Sequence, residues 1–270
     1  MRRSPPLMQL PRPRKRFSQN FLVDSNYVAR IVEAIAPRPQ DRLLEIGPGF
    51  GALTGALLER VDSMDAVEID RDAVRALRER FPPARLRVHE GDALDFDFCA
   101  LGTGLRLVGN LPYHISTPLL FRVDAAYASV RDCHFMLQKE VVERMAAIPG
   151  TRQYGRLTVM LQYHWRVERL FDVPPGAFRP RPKVWSAIAR MLPLGQPASQ
   201  ARDHGVFSRL VAAAFMQRRK TLRNALRDLL AEVDIAGCGI DPGARAETLG
   251  IAEFVRLANR AAARLSVRAG

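Results

Sequence analysis

The chain has 270 residues, with 41 Lys+Arg against 28 Asp+Glu and a formal net charge of +13. Hydrophobic and charged contents of 47% and 26% are those of a folded protein and exclude general disorder. No apolar run approaches the roughly 18 residues of a membrane helix. The basic, proline-broken start lacks the apolar core of a secretory leader, so a soluble, cytoplasmic protein is expected. Cys99, Cys133 and Cys238 show no CxxC spacing, which argues against a disulfide framework or thiolate metal cluster. Lys15, Lys139, Lys183 and Lys220 are the only lysines. Arginine suits bidentate phosphate recognition, and so large an excess points to a nucleic-acid partner. The basic stretches have no apolar face for a membrane surface.

In chain order, residues 1–16 are Pro/Arg-rich without an acid and predict a flexible basic arm. Residues 24–36 place Val28, Ile31, Val32 and Ile35 at helical spacing, with Asp24 as N-cap and Pro37 as stop. Strands are predicted at 42–46, 64–69, 86–88, 105–108 and 130–137, separated by helices at 52–60, 71–80 and 119–126. This alternation implies an α/β fold with a parallel sheet covered on both faces. A buried helix at 157–165 and a last strand at 184–192 follow, then a linker at 193–200 and helices at 206–216, 221–231 and 252–265. The expected division is the arm, an α/β domain over 17–195 and a small helical domain over 201–270. Trp165 and Trp185 are both expected in the core.

Two segments carry chemistry. Glu45-Ile46-Gly47-Pro48-Gly49-Phe50-Gly51 ends the first strand of that alternation and opens a helix, where glycines let backbone approach a ligand. About 20 residues after Gly47, Glu68 or Asp70 can accept from ribose hydroxyls, strand-end geometry favouring Glu68. Asp92, in Glu90-Gly91-Asp92-Ala93, can accept from an adenine amino group. A nicotinamide cofactor and S-adenosylmethionine both fit these features. Glu45 favours the latter, because it would repel a pyrophosphate but attract a sulfonium and an amino group. Gly109-Asn110-Leu111-Pro112-Tyr113 ends a later strand. An exocyclic amine there needs acceptors more than a base. The Asn110 amide oxygen and the carbonyl near Leu111 supply them, Pro112 directs that carbonyl, and Tyr113 offers a stacking ring.

With these segments the chain resembles the rRNA adenine N6,N6-dimethyltransferases, specifically the small-subunit (16S) type. The match runs through Arg14-Lys15-Arg16-Phe17-Ser18-Gln19-Asn20-Phe21-Leu22, Leu44 to Thr54, Glu68-Ile69-Asp70, Gly91-Asp92-Ala93, Gly109 to Tyr113, Phe178-Arg179-Pro180-Arg181-Pro182-Lys183-Val184 with Ser186, and Arg218 to Asn224. The resemblance implies a Rossmann-like S-adenosylmethionine-dependent methyltransferase sheet with a small all-helical C-terminal domain. It also implies that Gln19, Asn20, Leu22, Gly47, Gly49, Glu68, Asp92, Ala93 and Asn110 surround S-adenosylmethionine. Asn110 would hold the target amino group, with Leu111 and Pro112 shaping that site, and Tyr113 and Phe178 would sandwich the adenine. The implied substrate is a pair of adjacent adenines in a hairpin loop near the 3′ end of 16S rRNA, within the pre-30S small ribosomal subunit. Ser18 and His114 depart from the family pattern, where Gly and Asn are usual.

Arg14, Lys15, Arg16, Arg181, Lys183, Arg218, Arg219, Lys220 and Arg223 are the expected RNA-binding cations. The histidines lack metal-ligand spacing, so no metal is expected, and a monomer is expected. A 23S rRNA adenine methylase and a non-catalytic RNA-binding assembly factor are the competing readings. A DNA adenine methylase would carry Pro-Pro in place of Leu111-Pro112, and a dehydrogenase reading lacks any hydride-transfer constellation.

Overall fold

The structure, a computed structural model, describes residues 20–195 and 200–269. Arg14, Lys15, Arg16 and Gln19, with the rest of the expected arm, lie outside these residues. The chain forms two compact units, the first of residues 1–139 and 170–190, the second of 140–169 and 191–270.

In the first unit, β1 (Phe21–Leu22) leads into α1 (Ser25–Ile35). The Asp24 side chain caps α1 by accepting from the Asn26 and Tyr27 amides, and Ala36 closes it in a left-handed conformation just before Pro37. Then β2 (Arg42–Ile46), α2 (Ala52–Leu58), β3 (Met64–Glu68), α3 (Arg71–Arg80), β4 (Leu86–Glu90), β5 (Leu105–Asn110), α4 (Ser116–Ala125) and β6 (Val130–Gln138) follow the predicted alternation within a few residues. The register joins β4, β3, β2, β5 and β6 in parallel. β7 (Trp165–Val173) and β9 (Ser186–Pro193) extend the sheet to seven strands, in the order β4-β3-β2-β5-β6-β9-β7. A separate ribbon pairs β1 antiparallel with β8 (Phe178–Arg179), matching Phe21 to Arg179 and Leu22 to Phe178.

One face of this sheet buries Ile31, Val32 and Ile35 of α1 with Leu57, Val108, Met136 and Ile188. Arg106 locks the N-terminal end of that face. Its Nε donates to both Asp132 carboxylate oxygens at 3.0 Å, one terminal nitrogen donates to Asp41 at 2.5 Å and the other to the Ile35 carbonyl at 2.6 Å. Burial works against ionisation of both carboxyls, but the Arg38 amide at Asp41, His134 at Asp132 and the shared Arg106 guanidinium together hold them below the usual range.

The second unit is mainly helical: α5 (Lys139–Met145), α6 (Arg156–His164), α7 (His204–Met216), the short α8 (Leu222–Ala225) and α9 (Glu232–Gly237), and α10 (Ile251–Ala269). Residues 140–169 thus belong with the C-terminal helices, whereas the sequence reading divided the chain at residues 195–201. The reason is packing: α6 is apolar almost all round and meets α7 and α10, while the buried Tyr154 hydroxyl donates to the Leu249 carbonyl at 2.8 Å. The helix expected over 221–231 stops at Ala225, where Leu226 begins a tight turn that takes up the Leu229 and Leu230 amides. β7 escaped prediction because Arg166, Glu168, Arg169 and Asp172 break its apolar pattern, as edge strands commonly do. No described helix is long and apolar enough to cross a membrane.

Candidate active site

At the carboxyl ends of β2, β3, β4 and β5 lies a cavity of about 920 Å³, the position expected for a ligand in an open α/β sheet. Its floor begins with the turn after β2, where Gly47, Gly49 and Gly51 all have left-handed φ of 67°, 55° and 79°. This conformation favours glycine, and at Gly49 there is a second reason. A Cβ there would lie 3.1 Å from the Phe21 ring, so glycine lets β1 lie across the turn. The Gly49 amide donates to Glu68 Oε2 at 2.9 Å, while Glu68 Oε1 accepts from the Ile69 and Asp70 amides, each at 2.9 Å. The Asp70 side chain caps α3 instead, so Glu68 is the carboxylate that faces the cavity.

Two buried carboxyls therefore meet under this turn. Glu45 accepts from the Thr54 hydroxyl at 2.6 Å, and burial, assisted by repulsion from Glu68, pushes it up to about 7. Burial also raises Glu68, against the lowering effect of its three amide donors. Farther along the same wall, Asp92 Oδ1 accepts from the Leu94 amide at 2.9 Å, and Ala93 and Ile69 complete the lining. Ile69 is 45% exposed, a broad apolar face between Glu68 and Asp92. The sequence reading did not single it out; its place directly after the strand-end acid was the available signal.

The second wall comes from the end of β5. Gly109 is required there because a Cβ would stand 2.4 Å from the Ile46 carbonyl oxygen of β2. Asn110 follows, and its Nδ2 donates to the Asn20 carbonyl at 2.9 Å. With the amide nitrogen committed to the Asn20 carbonyl just before β1, Oδ1 is the acceptor end of this side chain. The Leu111 amide donates to the Met136 carbonyl at 3.0 Å, and Pro112 and Tyr113 make the following turn. The Tyr113 hydroxyl lies 2.7 Å from Ser186 Oγ, and burial raises its pKa against the lowering effect of that contact.

Asn20, Leu22, Gly47, Gly49, Glu68, Asp92, Ala93, Asn110, Leu111, Pro112 and Tyr113 all line this one cavity. Phe178 does not. Its side chain is 0% exposed, opposite Leu22 in the β1–β8 ribbon and inside the apolar cluster with Ile31 and Ile188. Phe178 is thus not brought into the cavity with Tyr113, because the phenyl ring is used for packing. His134 was not foreseen. It is 4% exposed and lines the cavity from β6; among the described residues neither ring nitrogen has a partner within hydrogen-bond distance, and Nδ1 lies 3.6 Å from Asp132 Oδ1. His114 is exposed at the cavity mouth.

The remaining basic candidates fall in different surroundings. Arg181 and Lys183 are exposed in the segment between β8 and β9. In the second unit, Arg218 is tied down: it donates to the Arg152 and Tyr154 carbonyls and pairs with Glu247 at 3.3 Å. Arg223 pairs with Glu232 at 3.5 Å, both exposed. Arg219 and Lys220 are exposed, with no ion pair among the described residues.

A cavity holding two buried carboxyls, an aspartate and a neutral amide acceptor suits a cation bearing a ribose diol, not a pyrophosphate. Comparison with known proteins agrees. The family described as ribosomal RNA adenine dimethylase matches residues 11–263. The ribosomal RNA small subunit methyltransferase A of Aromatoleum aromaticum is 58% identical over 253 residues, 94% of this chain and 96% of that one. Among crystal structures, a dimethyladenosine transferase from Plasmodium falciparum has a TM-score of 0.72 at 25% identity, covering 87% of this chain and 95% of that one. The 23S rRNA methyltransferase ErmE has a TM-score of 0.71 at 26% identity, covering 90% of this chain and all of the other (100%).

Proposed function

The chain belongs to the ribosomal RNA adenine dimethylase family, and on that premise we propose that it transfers methyl groups from S-adenosylmethionine to the N6 atoms of two adjacent adenines. These lie in a hairpin loop near the 3′ end of 16S rRNA, in the assembling small subunit, and become N6,N6-dimethyladenosines. The observation that carries the reading is the Asn110 amide, fixed by the Asn20 carbonyl with its oxygen left as acceptor, in the same cavity as Glu45 and Glu68. Small-subunit specificity is supported by sequence. The relative named for the small subunit is 58% identical, the 23S enzyme 26%, although the fold resembles the dimethyladenosine transferase and ErmE equally.

S-adenosylmethionine, when bound, supplies an electrophilic methyl group on a cationic sulfur. Asn20, Gly47, Gly49, Glu68, Asp92 and Ala93 would hold it, with Glu45 adding charge complementary to a cation. Gln19, outside the described residues, joins that set by resemblance alone. Asn110 Oδ1 accepts one N–H of the target amine, and the backbone carbonyl at Leu111 accepts a second. Those two bonds draw the nitrogen lone pair out of conjugation with the ring and orient it. A neutral amide does this without taking the proton, which suits an amine that becomes strongly acidic once alkylated. Tyr113, held by Ser186, offers one ring face to the adenine. Exposed Arg181, Lys183, Arg219 and Lys220 provide phosphate contacts that position RNA without reading its sequence.

The test is transfer of labelled methyl groups to under-methylated small subunits, with products mapped to single nucleotides. Two adjacent dimethylated adenines are expected. Label in large-subunit RNA would transfer the reading to the 23S type, and binding without label would make the chain a non-catalytic assembly factor.

A further inference from the structure

The two tryptophans have opposite environments: Trp165 is 1% exposed and Trp185 is 51% exposed. Trp185 was expected in the core, and the structure places it instead at the end of an exposed segment, 179–185. This segment carries Arg179, Arg181 and Lys183 and no acidic residue. We propose that Trp185 is a stacking platform for an unpaired RNA base next to the nucleotide that enters the cavity. The inference rests on the RNA-methylating reading above.

Both ends of the segment are tied to the cavity rim. Arg179 pairs with Phe21 in the β1–β8 ribbon, and Phe21 lines the cavity. At the other end the Trp185 carbonyl accepts the Lys139 amide at 2.9 Å, and the next residue, Ser186, holds the Tyr113 hydroxyl. Ser186, not Trp185, makes the contact to Tyr113, and the exposed Trp185 does not line the cavity. Its partner is therefore a neighbouring base and not the target adenine. Backbone anchoring lowers the ordering cost of using the indole. Single exposed apolar residues are ordinary on protein surfaces; here the largest aromatic stands among three cations in an acid-free segment. Aromatic faces interleaved with cations are how proteins grip unpaired nucleic acid.

The experiment uses the full chain and a labelled RNA hairpin whose loop contains two adjacent unpaired adenines. By anisotropy, Trp185→Ala is expected to bind the hairpin about tenfold more weakly than wild type, with Trp185→Phe recovering most of the loss. A blunt RNA duplex of equal length is expected to bind wild type and Trp185→Ala alike. Wild-type tryptophan emission is quenched by the hairpin but not by heparin, and the quenching vanishes in Trp185→Phe, where only buried Trp165 emits. Unchanged melting temperatures guard against a folding defect. Equal hairpin affinity for Trp185→Ala and wild type overturns the platform. A loss seen only with intact small subunits overturns it too, by making the surface a protein contact. Failure of wild type to bind the hairpin at all brings down the RNA reading itself, a result distinct from the other two.

Discussion

Glu45→Gln preserves the shape of a side chain buried under the glycine turn, and the Thr54 hydroxyl can donate to an amide oxygen as it does to the carboxyl. Burial lifts the wild-type carboxyl from its ordinary 4.5 to about 7, with Glu68 adding to the effect and Thr54 opposing it. The folded state thus holds the Glu45 proton more tightly than the unfolded chain does. This favours folding below pH 4.5 to 7, and the benefit is lost as the pH rises through that window. At 1.36 kcal/mol per pH unit, the cost of ionising Glu45 in the cofactor-free fold is about 3 kcal/mol above neutrality. Glutamine carries no such cost. In urea unfolding of cofactor-free protein, the variant should match wild type near about pH 4 and exceed it by about 3 kcal/mol near about pH 8.5. Calorimetry supplies the functional half. Wild-type affinity for S-adenosylmethionine should rise from about pH 6 to about pH 8 as Glu45 ionises, and the rise should flatten in Glu45→Gln. Equal stability of the two proteins at both pH values would refute the reasoning.

The other expected outcomes concern single contacts. Asn110→Ala should lower kcat for methyl transfer by about 10²–10³ while leaving hairpin affinity nearly intact, as filter binding and single-turnover assays can check; parallel loss of binding would remove Asn110 from the acceptor role. Gly109→Ala forces a Cβ to within 2.4 Å of the Ile46 carbonyl oxygen, and urea melts should register a loss of about 1–3 kcal/mol. Arg219→Ala combined with Lys220→Ala should reduce the slope of log affinity against log salt by about 1.4 for single-stranded RNA. Arg218→Ala, which breaks the Glu247 pair and two carbonyl contacts, should instead lower stability by about 1 kcal/mol and leave the slope unchanged.

The parallel core of the sheet was legible because short strands with buried apolar residues alternate with helices, as with Arg42–Ile46 and the Asp70-capped Arg71–Arg80. The cavity residues were legible for a different reason. Glycines at left-handed φ, an acid at a strand end and an Asn before Pro are local signals, and each keeps its meaning without knowledge of what packs against it. Phe178 and Trp185 were misjudged in opposite directions because burial is decided by distant partners: Phe178 sits across from Leu22, some 150 residues away in sequence, whereas nothing in the local pattern marks Trp185 as uncovered. His134 was hidden for a similar reason. On a predicted buried strand it reads as one more interior position, and only the sheet register, which sets it beside Val108, brings it to the cavity. Residues 140–169 were assigned to the wrong neighbours because the partners of α6 come from beyond residue 200.

The charge of the chain has the wrong sign for one of its two ligands. A protein at +13 attracts RNA but should repel a cationic methyl donor. Burial resolves the conflict. Exposed arginines and lysines act through solvent, where salt screens them over about 8–10 Å; a polyanion that touches them directly still gains, while a small cation in the cavity feels little. Glu45 and Glu68 are removed from solvent, so their effect on anything sharing the cavity is weakly screened. The same burial holds Glu45 near half-ionised at neutral pH in the absence of a cation, which limits the cost of two carboxyls lying side by side. A cation that enters restores the charge that burial had suppressed. That sorting also accounts for the choice of acceptor at position 110. A third buried acid would raise the first two further, whereas the amide of Asn110 accepts from the target amine and adds no charge at all.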